Sequence, residues 1–245
     1  MSRLILFLIA AVFASPNASY GAKNVKFDQH DGKYRERTEQ TLPAQPGGLI
    51  ALSSDRGSVT VESWDRSEVK FVVEKRANVF MEREAKAVFK DMEIKVREAE
   101  GEISVDIKSA SGRDHDALRM SIQISVPRKF NVDVETESGS IKFGDQGGNI
   151  RGQTNGGSVT AGNIVNGSAD LETSGGNIKV GNITGGSLDA STAGGSIRAG
   201  NVSGSVDAET AGGNIRMGKV GGDASLETAG GGIRIDEAGG DLEAN

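Results

Sequence analysis

Apolar and polar residues alternate in short runs along most of the chain, which is the pattern of half-buried β-strands. In the first half, the runs GSVTVES and EVKFVVE are separated by the turn sequence DRS. Strands are predicted at residues 57–63, 68–74, 93–96, 103–107 and 120–126. Residues 81–92 lack Gly and Pro and carry apolar residues at helical spacing, so they predict one short helix.

After residue 130 the alternation acquires a fixed period. A threonine returns every 18 or 19 residues, within phrases such as TSGGNIKVGNITGGSLDAS and TAGGSIRAGNVSGSVDAE. The six threonines are Thr136, Thr154, Thr173, Thr192, Thr210 and Thr228. A period of this length indicates a supersecondary unit that buries its apolar face only against neighbouring copies. Two short alternating runs and two Gly-rich corners per period predict one coil of a β-solenoid.

The repeated columns of residues suit such a stack. Threonine is β-branched, and its hydroxyl is expected to bond the next coil. Asn163, Asn182 and Asn201 follow glycines, where asparagine tolerates turn geometry and can bond along its own column. Small inward residues such as Ala199 and Ala208 predict a narrow, flattened core between two strands per coil.

The predicted fold is therefore all-β. Residues 131–245 form a single-stranded β-helix, or β-solenoid, of about six coils with 18–19 residues each. Residues 23–130 form a strand-rich module with one short helix that precedes it. Glycine marks the same boundary, because seven of the 35 glycines lie in residues 1–130 and the other 28 follow.

Charge also differs between the halves. Residues 131–245 contain 7 Lys and Arg against 15 Asp and Glu, a net charge of −8. Nucleic-acid binding depends on cationic contacts with phosphate, so we expect no nucleic-acid partner.

The N-terminus has the features of a signal peptide over residues 1–22. Arg3 precedes the apolar run LILFLIAAVFA, and the small residues of SPNASYGA offer a cleavage site. The alternative is an uncleaved membrane anchor, but 11 apolar residues are short for a bilayer span. No other stretch is apolar enough to span a bilayer, so no transmembrane segment is expected after cleavage.

The chain has no cysteine, which excludes disulfides and a lipid-modified N-terminal Cys. We expect an exported protein of the periplasm or the cell surface.

Three segments carry a family resemblance: SVTVESWDRSEVKFVVEK, PRKFNVDVETESG and the tail of GGxI repeats. Together they resemble a bacterial putative-adhesin family of exported β-helix proteins, a domain of unknown function, over roughly residues 45–245. The resemblance implies a right-handed β-helix in the cell envelope. That family carries no agreed catalytic residues, so the resemblance implies no site here.

Charges on the predicted outer face are segregated by strand. The basic stripe follows the first inward residue of each repeat and consists of Lys142, Lys179, Arg198, Arg216 and Arg234, with Thr160 in the remaining place. The acidic stripe lies on the second strand and consists of Asp170, Glu172, Asp189, Asp207, Glu209 and Glu227. A polyanion could dock along the basic stripe, or divalent cations could bridge the acidic one. The alternative, which is the usual role of charged outer positions, is two solvated faces that prevent aggregation.

Evidence for catalysis is thin. The two histidines, His30 and His115, lie in different polar stretches, and Asp114 and Asp116 beside His115 lack a third ligand at suitable spacing. The glycine pairs lack the GxD that supplies calcium ligands in nonapeptide rolls. Corners of two to four residues are too short to frame a cleft, and Phe143 is the only aromatic residue after residue 130. We expect no enzyme activity, no cofactor and no metal.

The sequence thus predicts a non-enzymatic envelope protein, an adhesin that binds an extended ligand along the solenoid. The alternatives are a periplasmic structural or envelope-stress scaffold with a protein partner, and a polysaccharide-active β-helix enzyme. The expected partner is an envelope polymer or protein. Because no polar capping repeat follows the last coil, either the chain is a fragment or its last coil is an open edge through which a partner or another copy of the chain could associate.

Overall fold

The computed structural model describes residues 24–30, 33–99, 101–112 and 116–245. The predicted signal peptide over residues 1–22 lies outside the described residues, as do Asp114 and His115. In the part that is described, no helix combines the length and the apolar character needed to cross a bilayer.

The first half of the chain contains the helix and the longer strands: β1 (Asn24–His30), β2 (Lys33–Pro43), β3 (Leu49–Ser54), β4 (Ser58–Trp64), β5 (Glu68–Ala77), α1 (Glu82–Asp91), β6 (Met92–Ala99), β7 (Glu102–Ser109) and β8 (Leu118–Pro127). The second half contains shorter strands: β9 (Asn131–Thr136), β10 (Ile141–Phe143), β11 (Ile150–Thr154), β12 (Val159–Ala161), β13 (Ile164–Val165), β14 (Ala169–Thr173), β15 (Ile178–Val180), β16 (Ile183–Thr184), β17 (Leu188–Thr192), β18 (Ile197–Ala199), β19 (Val206–Thr210), β20 (Ile215–Val220), β21 (Ala224–Thr228), β22 (Ile233–Ala238) and β23 (Leu242–Ala244).

Two long sheets run the length of the molecule. Sheet A has the order β1-β2-β5-β8-β4-β10-β12-β15-β18-β20-β22, and sheet B has the order β6-β7-β3-β9-β11-β14-β17-β19-β21-β23. From β9 onward all neighbours are parallel, and Ala169 lies opposite Leu188, which lies opposite Val206. Each step along a sheet is therefore one sequence period, as the repeats predict.

The first solenoid coil comes from the strand-rich half. Strand β3 pairs in parallel with β9, and β4 pairs in parallel with β10, so Ile50 faces Val132 and Val59 faces Ile141. Strands β7 and β8 pair in parallel with the other edges of β3 and β4. Both sheets thus continue without a break across residue 130, and the coil of β3 and β4 lies between two coils that follow it in sequence.

One end of the solenoid is covered by a cap of antiparallel strands and the helix. Strands β1, β2 and β5 extend sheet A, and β6 ends sheet B. The predicted helix is confirmed as Glu82–Asp91, with Ala85 and Phe89 buried against the core. These elements keep the apolar core from meeting water at this end.

From β9 onward, the coils have a third side that the sequence pattern did not predict. Strands β13 and β16 pair in parallel, and isolated bridges continue the column through Val202 and Val220. Ile164, Ile183 and Val202 are buried in this column. The prediction of two strands around a flattened core is therefore wrong. The cross-section has three sides, and the third was missed because a two-residue strand is too short to show alternation.

Side chains at the corners join successive coils. The predicted asparagine ladder is confirmed: Asn163 Oδ1 accepts a hydrogen bond from Asn182 N at 3.0 Å, and Asn182 Oδ1 accepts one from Asn201 N at 2.9 Å. Equivalent ladders of Ser and Asn run along the corners before each strand of sheets A and B. Glycine is required where coils approach most closely, because a Cβ at Gly195 would overlap the carbonyl oxygen of Gly176. The stack is consequently bonded at its corners as well as through its sheets.

Candidate ligand-binding surfaces

The basic stripe lies on the outer face of sheet A. The paired residues along it are Lys142, Thr160, Lys179, Arg198, Arg216 and Arg234, each opposite the next. The five cations are exposed, whereas Thr160 is half-buried. Neighbouring strands are about 4.8 Å apart, so the stripe forms a straight row with a short, regular repeat.

Most of these cations are free of protein partners. Among the described residues, Lys142, Lys179, Arg198 and Arg216 form no ion pair and no side-chain hydrogen bond. Arg234 alone approaches a carboxylate, that of Asp236, with 3.6 Å between Nη2 and Oδ1. By contrast, Lys219 outside the stripe pairs with Glu237 at 2.7 Å, and this contact raises the lysine pKa and lowers the glutamate pKa.

Two shallow hollows flank the basic stripe. One of about 430 Å³ lies between Lys179, Arg198 and the corner residues Ser158, Asn177 and Ser196. Another of about 440 Å³ lies on the other side, beside Arg198, Arg216 and the corner at Gly200 and Asn201. The cations therefore stand beside hydroxyl and amide groups that repeat with the same period.

The acidic stripe lies on the outer face of sheet B and forms two columns. Asp170 is opposite Asp189, which is opposite Asp207. The second column contains Glu172, Ser191, Glu209 and Glu227, in that order. All six acidic residues are exposed. The inner faces of sheets A and B share one core, so the two stripes point outward on different sides of the molecule.

Further residues extend the aspartate column, and the sequence interpretation missed them. Asp133 and Arg151 precede Asp170, and Glu243 lies beyond Ser225. Arg151 pairs with Asp170 at 3.3 Å between Nε and Oδ2. These residues could have been found from the repeat, because each occupies the same position as Asp170, directly after the first inward residue of a sheet B strand.

Crowding changes the acidity of this column. The pKa of Asp189 is raised, first because partial burial disfavours its charge and then because Asp170 and Asp207 repel it. The pKa of Asp133 is raised mainly by burial, although Arg151 acts in the opposite direction. In both residues burial is the larger cause, and the repulsion from neighbouring carboxylates adds to it.

A long open groove follows the aspartate column. Its volume is about 1150 Å³, and its walls run from Asn131 to Glu243 along the corner and the start of each sheet B strand. The serines Ser168, Ser187 and Ser205 line it on the corner side. The groove is open to solvent along its length, so its form suits an elongated partner better than a small enclosed molecule.

The histidine and aspartate candidates of the sequence lie in the first half of the chain. His30 ends β1, where its backbone pairs with Lys33, and Asp116 lies beside the undescribed His115. In the described part of the chain, no three His, Cys, Asp or Glu residues are arranged to hold a metal ion. Phe143 is buried, with 1% of its surface exposed, so it offers no stacking surface for sugars. The solenoid faces provide charge and hydrogen bonds.

Several solved structures are similar to this chain over most of both chains, at low sequence identity. A putative adhesin from Bacteroides fragilis is 14% identical with a TM-score of 0.46, and the match covers 85% of this chain and 97% of that one. A putative adhesin from Parabacteroides distasonis is 15% identical with a TM-score of 0.44, and the coverage is again 85% and 97%. A putative cell adhesion protein from Clostridium sporogenes is 10% identical with a TM-score of 0.34, covering 91% and 98%. No curated protein matched the chain in sequence.

A family model settles the relationship. The model described as Toastrack DUF4097, a domain of unknown function, matches residues 50–244. The matched range begins within β3, the strand that opens the first solenoid coil, and includes both the cap helix and the repeats. The chain belongs to the Toastrack DUF4097 family.

Proposed function

We propose that this is a non-enzymatic protein of the cell envelope that binds an extended anionic polymer along the basic stripe. One observation carries the proposal: Lys142, Lys179, Arg198 and Arg216 are exposed, lie in register and have no partner among the described residues. Like charges separated by 4–5 Å repel by about 1 kcal/mol in water. A bound polyanion would remove that repulsion along the whole row.

The shape of the stripe favours a linear ligand. Each exposed ion pair contributes only about 0–1 kcal/mol, so useful affinity requires several contacts at once. A polymer with regularly spaced anionic groups can make those contacts with successive coils. The hollows beside the stripe add serine and asparagine groups that can bond the uncharged parts of the polymer.

We also infer that the protein is exported and that its chain winds as a right-handed helix of about six coils. Export rests on the signal-peptide features of residues 1–22. The handedness rests on the strong preference for right-handed crossovers between parallel strands in one sheet. An exported protein meets the anionic polymers of the envelope, which makes the proposed ligand accessible.

Retention on an immobilised anionic polysaccharide tests the proposed function. The variant Lys179→Ser, Arg198→Ser and Arg216→Ser should elute at a much lower salt concentration than the unmodified protein, because three adjacent contacts are lost. The matched control is Lys95→Ser, Arg151→Ser and Lys219→Ser, which removes the same charge from cations that already have carboxylate partners. Unchanged retention of the first variant, or equal loss in the control, would show that the stripe is not the binding surface.

A scaffold that binds a protein through the cap is the second candidate. It is favoured by Phe80 and Met81, which precede α1 and are 101% and 47% exposed. Under this alternative, loss of the basic stripe leaves localisation and partner binding unchanged, so the same triple variant separates the two functions.

A further inference from the structure

We propose that copies of this protein associate side by side, with the basic stripe of one copy lying against the acidic stripe of the next. The occupant of each charged face would be a second copy of the same chain. This association does not require an anionic polymer, which would compete with it for the basic stripe, and it also uses the outer face of sheet B, to which the proposed function assigns no role.

Charge complementarity is the first support. Sheet A presents the exposed cations Lys179, Arg198 and Arg216 in consecutive coils. Sheet B presents the exposed carboxylates of Asp170, Asp189 and Asp207 in consecutive coils. Surfaces of opposite sign steer association and fix the register between partners.

The matching repeat is the second support. Both stripes are built on the same coils, so both repeat at the strand spacing of about 4.8 Å. Once one cation of a copy faces a carboxylate of its neighbour, the adjacent coils bring the following pairs into the same relation. The corner ladders bond each coil to the next, which keeps this spacing uniform.

The widths of the two faces are also compatible. Three-residue strands in sheet A expose a single column of side chains, as at Ile178–Val180. Five-residue strands in sheet B expose two columns, as at Ala169–Thr173. One row of cations can therefore lie along a double row of carboxylates and the open groove beside it.

The geometry determines the type of assembly. The two contacting surfaces are different, so the interface is heterologous, and a pair of copies keeps a free basic stripe at one side and a free acidic stripe at the other. Unless the rotation between copies closes a ring, such interfaces generate open rows. Exposed ion pairs are screened by salt, with a Debye length of about 10 Å at 0.1 M, so the assembly should dissociate as salt is added.

Sedimentation velocity of the purified protein over a range of salt concentrations tests the proposal. We expect species larger than a monomer at low ionic strength and monomers at high ionic strength. Two charge-reversed variants sharpen the test: Lys179→Glu, Arg198→Glu and Arg216→Glu gives sheet A three acidic residues in consecutive coils, whereas Asp189→Lys, Asp207→Lys and Glu209→Lys gives sheet B three basic residues in two consecutive coils. Circular dichroism should confirm that each variant keeps its strand content.

Each variant alone should lose self-association, and an equal mixture of the two should regain it as a mixed assembly. A monomer at every salt concentration overturns the proposal, and so does association that survives either reversal or requires an added divalent cation. Failure of the mixture to associate also overturns it. The neutral variant Asp189→Asn, Asp207→Asn and Glu209→Gln keeps the basic stripe and adds no cation to sheet B, so its retention on an anionic polysaccharide reports separately on the proposed function.

Discussion

At the scale of single residues, the recurrent threonine hydroxyl makes two hydrogen bonds. Thr192 Oγ1 donates to Gly176 O in the preceding coil at 2.8 Å and accepts from Gly195 N in its own corner at 3.3 Å. Thr173 and Thr210 repeat this arrangement. Because these threonines are buried, a missing hydroxyl would leave two buried backbone groups without a partner.

Thr192→Val should therefore lower the free energy of unfolding by about 1–3 kcal/mol, the cost of leaving a buried polar group unsatisfied. The matched control is Thr160→Val, because Thr160 faces outward and forms no side-chain hydrogen bond among the described residues. Its effect should stay within about 0.5 kcal/mol. Chemical denaturation followed by circular dichroism measures both changes. Equal effects would mean that the hydroxyl bonds contribute nothing specific.

Much of this chemistry could be predicted from the repeats. The threonine and asparagine columns follow from spacing, because parallel coils place equivalent residues opposite each other. The direction of the threonine bond was predicted wrongly, because a bond to the next coil was expected. The hydroxyl reaches a glycine carbonyl of the preceding coil, and that contact depends on how closely the Gly-rich corners stack.

At the scale of elements, the predictions were good for segments with a strong apolar period and poor elsewhere, including the long strand β2 and the central strand β3. The helix and the strands at residues 57–63 and 68–74 appear close to their predicted bounds because each has a strong period. Strands β1 and β2 in the cap, and the two-residue β13 and β16, were not predicted. Their pairing partners, rather than their own apolar pattern, define them as strands.

The cap contains a buried lysine that joins its elements. Lys75 on β5 is 3% exposed, and its Nζ donates to the carbonyls of Phe89 and Met92, both at 2.8 Å, where α1 ends. It also pairs with Glu36 on β2 at 3.1 Å. A cation near a helix C-terminus satisfies carbonyls that lack partners within the helix. Lys75 thereby connects β2, β5 and α1.

Lys75→Met should destabilise the protein by about 3–5 kcal/mol, the usual cost of removing one partner from a buried ion pair. Lys70→Met is the control on the same strand, because its pair with Glu39 is about one-third exposed, and such pairs contribute about 0–1 kcal/mol. Thermal unfolding compares the two variants, and hydrogen exchange of α1 shows whether the helix opens first. If Lys75→Met unfolds with the same midpoint as Lys70→Met, the lysine does not hold the cap together.

At the scale of the whole molecule, the sequence order of the coils differs from their spatial order. The coil of β3 and β4 lies between the β7–β8 layer and the β9–β10 layer, although it precedes both in the chain. No local pattern could reveal this, because it depends on pairings between distant strands. The segregation of charge, in contrast, was visible in the repeats, and the register of the sheets aligns each stripe across successive coils, with Thr160 and Ser191 as interruptions.

From β9 onward, each coil contacts mainly its two neighbours, so removal of one whole coil should be tolerated. Ile178 lies opposite both Val159 and Ile197, and deletion of residues 178–196 therefore brings Ile197 opposite Val159 with every corner ladder in register. Deletion of residues 178–187 is the control, because it places Leu188, a sheet B residue, where a sheet A strand should begin.

The whole-coil variant should keep its strand signal in circular dichroism and unfold cooperatively at a somewhat lower temperature, since one stacking interface is lost. The half-coil variant should lose cooperative unfolding, because its polar residues would then face the core. Equal behaviour of the two deletions would mean that the solenoid does not behave as a stack of equivalent units.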